Sequence, residues 1–155
     1  MSDPVFTRDD DNAPITVRQF LEAVAKSGAF GFKGSSTDDI VGEMYDLDLT
    51  DSNEFLFPNL FIQRKRAAVI VHRMLIRFMK LSDIRDISPA LGLADIYDCR
   101  TCLNSVAQVY MRGIMEAKGT TIRDGREVPV FGMNEFMTVG DMKKLTEITF
   151  IQIGL

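Results

Sequence analysis

Phe57-Pro58-Asn59-Leu60-Phe61-Ile62-Gln63-Arg64-Lys65-Arg66 runs on into Ala67-Ala68-Val69-Ile70-Val71-His72-Arg73-Met74-Leu75-Ile76-Arg77-Phe78-Met79. The Pro-Asn turn ends the preceding segment, and the residues after it predict a long apolar helix at about 62–80. Arg64, Lys65 and Arg66 fall in the first turn of that helix. Positive charge there opposes the helix dipole, so an anionic ligand or partner would relieve it.

The same turn-then-helix pattern occurs twice more. Asn12-x-x-Ile15-Thr16, Asn59-x-x-Ile62-Gln63 and Asn134-x-x-Met137-Thr138 align without gaps. Five residues after Ile15, Ile62 and Met137 stand Phe20, Ala67 and Met142; eight residues after them stand Ala23, Ile70 and Leu145. Positions three apart share a helical face, so one face is apolar in all three copies. A second pair aligns upstream, Tyr45-x-x-Asp48-Leu49 with Tyr110-x-x-Gly113-Ile114. Each unit therefore reads as helix, loop, helix; the first copy has either lost its leading helix or the sequence starts after it. The expected organisation is a single domain over 1–155, with a half repeat at 12–29, a repeat at 30–80 and a repeat at 81–150 that carries a hairpin insertion. The expected class is all-α with one small β-hairpin near 121–128, because Asp124-Gly125 suits a two-residue type I′ turn.

Between these landmarks the punctuation is local. Asp9-Asp10-Asp11-Asn12 signals a turn. Thr16 is the expected N-cap of a first helix that Gly28 ends, with a loop over Gly31 to Ser36. Thr37-Asp38-Asp39 opens a second, short helix. Asp46 to Glu54 is an acidic loop. Asp95 or Asp98 is the expected cap of the helix bearing Leu103, Val106, Ala107 and Tyr110, and a last helix starts near Thr138.

Composition bounds the function. The chain has 155 residues, 46% of them apolar and 26% charged, which suits a folded domain with a core. Its net charge of −4 argues against general nucleic-acid binding. No apolar run reaches the roughly 20 residues of a membrane helix. Met1-Ser2-Asp3-Pro4 leads into an acidic segment rather than a signal peptide.

Catalytic and metal-binding patterns are weak. Cys99-x-x-Cys102 has redox spacing, but no strand precedes it, and Asp95 and Asp98 lie close by; two small packing residues is the default. One His and two Cys do not make a zinc site without carboxylates. The acidic loop lacks the ligand spacing of a twelve-residue calcium loop. His72 reads as a partly buried structural residue. No cofactor, metal or enzymatic activity is expected.

The repeat resembles the S-layer homology domain, a module that anchors bacterial surface proteins to cell-wall polysaccharide. The likeness rests on Leu81-Ser82-Asp83-Ile84 as an opening, Gly113-Ile114 as a first helix end, and Phe57-Pro58-Asn59 and Phe131-Gly132-Met133-Asn134 as turns. It rests also on the helix openings Ile15-Thr16-Val17-Arg18-Gln19, Ile62-Gln63-Arg64-Lys65-Arg66 and Met137-Thr138-Val139-Gly140-Asp141. It implies a pseudo-threefold bundle of helix-loop-helix repeats, a place on the bacterial cell surface, and anionic wall glycan bound in grooves between repeats. Arg64 would hold a carboxylate with its guanidinium fork. Gln63, Asn59, Thr16 and Thr138 would supply hydrogen bonds, and Arg18 and Asn134 complete the expected set. Only Arg64 stands at the family's Arg position; Arg18 comes one residue late, about 100° around the helix, and the third copy has Gly140. A scaffold that has lost the glycan and contacts another surface protein is the alternative.

Overall fold

A computed structural model of the chain describes residues 11–27 and 36–152. The start of the Asp9 to Asn12 turn, the Gly28 stop, the Gly31 to Ser35 loop and the last residues of the tail lie outside them. Among the described residues there are six α-helices: α1 (Val17–Ser27), α2 (Thr37–Asp46), α3 (Ser52–Leu56), α4 (Arg64–Arg77), α5 (Leu103–Met111) and α6 (Val139–Gln152). Strands β1 (Gly119–Arg123) and β2 (Arg126–Val130) form an antiparallel sheet.

The class is therefore mixed α/β, and the expected all-α repeat bundle is corrected. Two stretches overturn it. The hairpin is longer than 121–128, because β-branched Thr120, Thr121, Ile122, Val128 and Val130 extend the pairing from Gly119↔Val130 to Arg123↔Arg126. Asp124 and Gly125 both take positive φ, 51° and 74°, as a type I′ turn requires. The segment before α5 holds two short 3₁₀ turns, Ser88–Gly92 and Ile96–Asp98, and no α-helix. Neither Asp95 nor Asp98 caps α5; Cys102 stands at its N-cap.

The chain divides into two compact units. The first contains the described residues up to Ile62 and those from Phe136 onward. Here α1 packs on α2 and α6, and α2 on α3. Phe20, Leu21, Val24, Met44, Leu49 and Leu145 are buried. The three aligned positions meet in this unit as a closed ring of backbone hydrogen bonds. The N–H of Ile15 donates to the carbonyl of Met137 at 3.0 Å, that of Met137 to Ile62 at 2.8 Å, and that of Ile62 to Ile15 at 3.1 Å. All three side chains are buried, so the ring satisfies polar groups that water cannot reach. The expected acidic loop at 46–54 contains α3: the N–H of Asp51 donates to the buried Glu54 carboxylate at 2.9 Å, which turns an acidic stretch into a helix start.

The second unit runs from Gln63 to Glu135. In it α4 packs on α5, and Ala67, Ile70, Val71, Met74, Val106, Ala107, Val109, Phe131 and Met133 are buried. A polar stripe on α5 clamps the segment before it. Gln108 accepts from the N–H of Ile84 and donates to its carbonyl, both at 2.9 Å. Arg112 donates to the Ser82 carbonyl at 2.7 Å, and Asn104 to Asp83 Oδ2 at 2.9 Å. Residues 104, 108 and 112 lie four apart and share one face of α5.

Helices α2 and α5 end alike. Leu49 N–H donates to Met44 and Asp48 N–H to Tyr45; Ile114 N–H donates to Val109 and Gly113 N–H to Tyr110. Asp48 and Gly113 take the left-handed conformation, φ 60° and 73°, which this helix stop demands. The aligned Tyr45 and Tyr110 motifs are thus two copies of one C-terminal cap.

Candidate functional site

The seven residues expected to bind ligand fall into two outward polar pairs, two helix caps and one inward arginine. The caps are Thr16 and Thr138. Thr16 Oγ1 accepts from the N–H of Gln19, and Gln19 returns an acceptor to the N–H of Thr16. Thr138 and Asp141 do the same for α6. Their side chains are spent on local capping boxes.

Arg64 is turned inward. It is only 3% exposed. Its Nε donates to the Phe131 carbonyl at 2.9 Å, its Nη2 to the Glu116 carbonyl at 2.5 Å, and its guanidinium lies 4.8 Å from the Phe131 ring centroid. The charge at the start of α4 is thus met by carbonyl oxygens and a π face. Beside it, the carboxylate of Asp95 accepts from the N–H groups of Phe131, Gly132 and Met133 at 2.9, 2.8 and 2.9 Å. The turn opening at Phe131 is clasped by a cation through its carbonyl and an anion through its N–H groups.

One residue later the side chains point out. In the first unit Arg18 Nε donates to Asn59 Oδ1 at 3.0 Å, and its Nη1 pairs with the Asp38 carboxylate. In the second unit Lys65 Nζ donates to Asn134 Oδ1 at 2.7 Å, and Gln63 Nε2 to the Asn134 carbonyl at 3.3 Å. Arg18 and Lys65 each stand three residues after a ring residue, and Asn59 and Asn134 three residues before one. The third copy has no side chain there: a Cβ on Gly140 would sit 3.1 Å from the Asp11 carbonyl. The position two residues on is instead the buried one, occupied by Val17, Arg64 and Val139. The helical phase explains the inversion. The N–H groups of Val17, Arg64 and Val139 donate to the carbonyls of Leu60, Glu135 and Ala13, which holds those residues against neighbouring backbone.

The first unit also carries an apolar ridge. Leu56 and Leu60 are each 62% exposed and Phe57 53%, with Phe55 and Phe61 exposed beside them in sequence. Phe61 meets the exposed Phe136, ring centroids 5.5 Å apart, and Phe55 stacks on Tyr45 at 4.4 Å. Phe57, Leu60 and Phe61 belong to the turn before α4, and the run of aromatic and leucine residues over 55–61 is the sequence signal for the ridge.

A network that spacing does not reveal surrounds His72. Its Nδ1 lies 2.9 Å from Ser105 Oγ and its Nε2 2.7 Å from Asp83 Oδ1. Partial burial pushes the Asp83 carboxyl up. Hydrogen bonds from His72 and Asn104, and the positive charges of His72 and Arg112, outweigh that and hold it below the usual carboxylate range. The carboxylate at Nε2 makes that ring nitrogen the donor of the pair.

Among the described residues no cluster of three or more His, Cys, Asp or Glu side chains is placed to hold a metal ion. Nor is any helix among them long and apolar enough to cross a membrane. Cys99 and Cys102, read as packing residues, are joined in a disulfide.

No protein-family model matches the chain, and neither a curated protein nor a solved structure matches it.

Proposed function

We propose that the chain is a non-enzymatic interaction module that docks another surface protein on its apolar ridge. The observation that carries this reading is the exposure of Leu56, Phe57, Leu60 and Phe61 in one short segment. Clustered apolar side chains with a polar rim suit a protein partner that buries them. Arg18, Asn59 and Asp38 give this unit polar groups for such a rim. The inward Arg64 also favours it, since the one residue at the family's ligand position spends its donors on main-chain carbonyls. The S-layer homology resemblance supplies the surface location, and the disulfide suits an oxidising compartment.

The test is a binding comparison between wild type and Leu56→Asp/Leu60→Asp. Both residues are exposed, so the melting temperature should be unchanged. Cross-linking to the surface proteins of the source cell should capture a defined partner with wild type and lose it with the variant. Equal capture by both would remove the ridge from the account.

A second reading has its own observation, the recurrence of an outward cation beside an Asn at Arg18–Asn59 and Lys65–Asn134. Each pair, taken in its own unit, suits a carboxylate of an anionic wall polysaccharide. Retention on purified cell wall that Arg18→Ala/Lys65→Ala abolishes, with the ridge variant still retained, would favour the glycan.

A further inference from the structure

We propose that Cys99–Cys102 is an exchange site for an external thiol, with Cys99 as the sulfur attacked and Cys102 as the leaving thiolate. The two cysteines are three apart and joined. Their surroundings are unequal. Cys102 is buried at the N-cap of the nine-residue helix α5, whereas Cys99 lies half-buried at the end of a 3₁₀ turn. The Cys99 sulfur lies 3.5 Å from Thr101 Oγ1 at the surface. Arg100 and Thr101, which link the pair, are exposed. An incoming thiolate therefore meets Cys99 and not Cys102.

The same asymmetry favours the departure. Displacement in a disulfide is faster when the leaving sulfur bears its negative charge well. The helix dipole at the start of α5, where Cys102 is the N-cap residue, favours an anion on Cys102. Of the two aspartates near the pair in sequence, Asp95 is engaged by three backbone N–H groups.

The chemistry balances with a thiol as the only co-reactant. A thiolate attacks Cys99 Sγ, the Cys99–Cys102 bond breaks, and its electron pair leaves on Cys102 Sγ. A mixed disulfide remains on Cys99. Either Cys102 returns and expels the thiol, or a second thiol attacks the adduct and leaves as the external disulfide. In that second outcome two external thiols lose two electrons and two protons, and both cysteines become thiols.

Reduced glutathione is the probe. Oxidised, folded wild type is incubated with it, quenched with acid and mapped by mass spectrometry. The adduct is expected on Cys99 alone. In Cys102→Ser, treated with oxidised glutathione, the Cys99 adduct should accumulate and persist, because no resolving sulfur remains. In Cys99→Ser, Cys102 should resist iodoacetamide until denaturant is added. Circular dichroism confirms that each variant is folded, and wild type alone carries the mapping experiment if either is not. An adduct on Cys102, or reaction of wild type only after unfolding, overturns the proposal.

Discussion

Arg64 donates from Nε to the main-chain carbonyl of Phe131 at 2.9 Å while its guanidinium faces the same residue's ring. A single cation thus holds both the backbone and the side chain of the turn residue. Removing it leaves the carbonyls of Phe131 and Glu116 without their charged donor. Hydrogen bonds to charged groups contribute about 1.5–3 kcal/mol each, so Arg64→Ala should lose about 3 kcal/mol of stability. Arg64→Lys should recover only part of that, since an ammonium lacks the fork. Urea titrations check both. A variant of full stability that loses ligand affinity would return Arg64 to the binding surface.

Asp95 is the opposite half of the clasp. Asp95→Ala leaves three N–H groups of residues 131–133 without an acceptor, and about 2–3 kcal/mol should be lost. Asp95→Asn keeps the shape but loses the charge and one acceptor oxygen, and should fall between. Amide exchange at Phe131, Gly132 and Met133 should rise in the order wild type, Asn, Ala.

The twin helix stops make a prediction of opposite signs. Asp48 holds a left-handed conformation that costs a non-glycine residue about 1 kcal/mol. Asp48→Gly should therefore raise stability by up to about 1 kcal/mol, and Gly113→Ala should lower it by about as much. Thermal melts of the two variants, moving in opposite directions, check the shared motif.

Acid should weaken the His72 network. The Asp83 carboxyl is depressed in the fold, so its contribution is fully present above the ordinary carboxylate pKa of about 4 and is lost as pH falls below that value. Asp83 is partly exposed, which keeps the effect small. Melting temperatures followed from pH 6 downward should drop less steeply for Asp83→Asn than for wild type. Parallel profiles would remove Asp83 from the acid response.

Local grammar carried much of the architecture. Asp124-Gly125 marks its hairpin because few dipeptides accept two positive φ values. The Asn-x-x-Ile/Met register marks Ile15, Ile62 and Met137, because apolar spacing survives where polar detail does not. Several failures are choices of phase or of distant partner. Whether Arg64 or Lys65 faces out depends on the backbone bonds that seat the first turn of α4, and a spacing rule does not contain them. Asp95 reads as a helix cap until three N–H groups from a turn more than thirty residues away claim it. His72, Asp83 and Ser105 converge from two helices and a connecting segment, so no local window holds them together. The strand extension of the hairpin was visible in its β-branched residues but outweighed by the helical repeat.

The ring of Ile15, Ile62 and Met137 bears on how the chain comes into being. Two of its bonds close onto Met137, and the third joins Ile15 to Ile62 across several tens of residues. Closing such spans costs chain entropy before any local reward arrives. During synthesis the first two segments can pair as soon as Ile62 has emerged, but the main-chain groups of Ile15 and Ile62 that face Met137 must wait for ribosomal delivery of the last one. A nascent chain paused between Ile62 and Met137 would hold an open acceptor and an open donor at the heart of its first unit, the state in which a chaperone would find it.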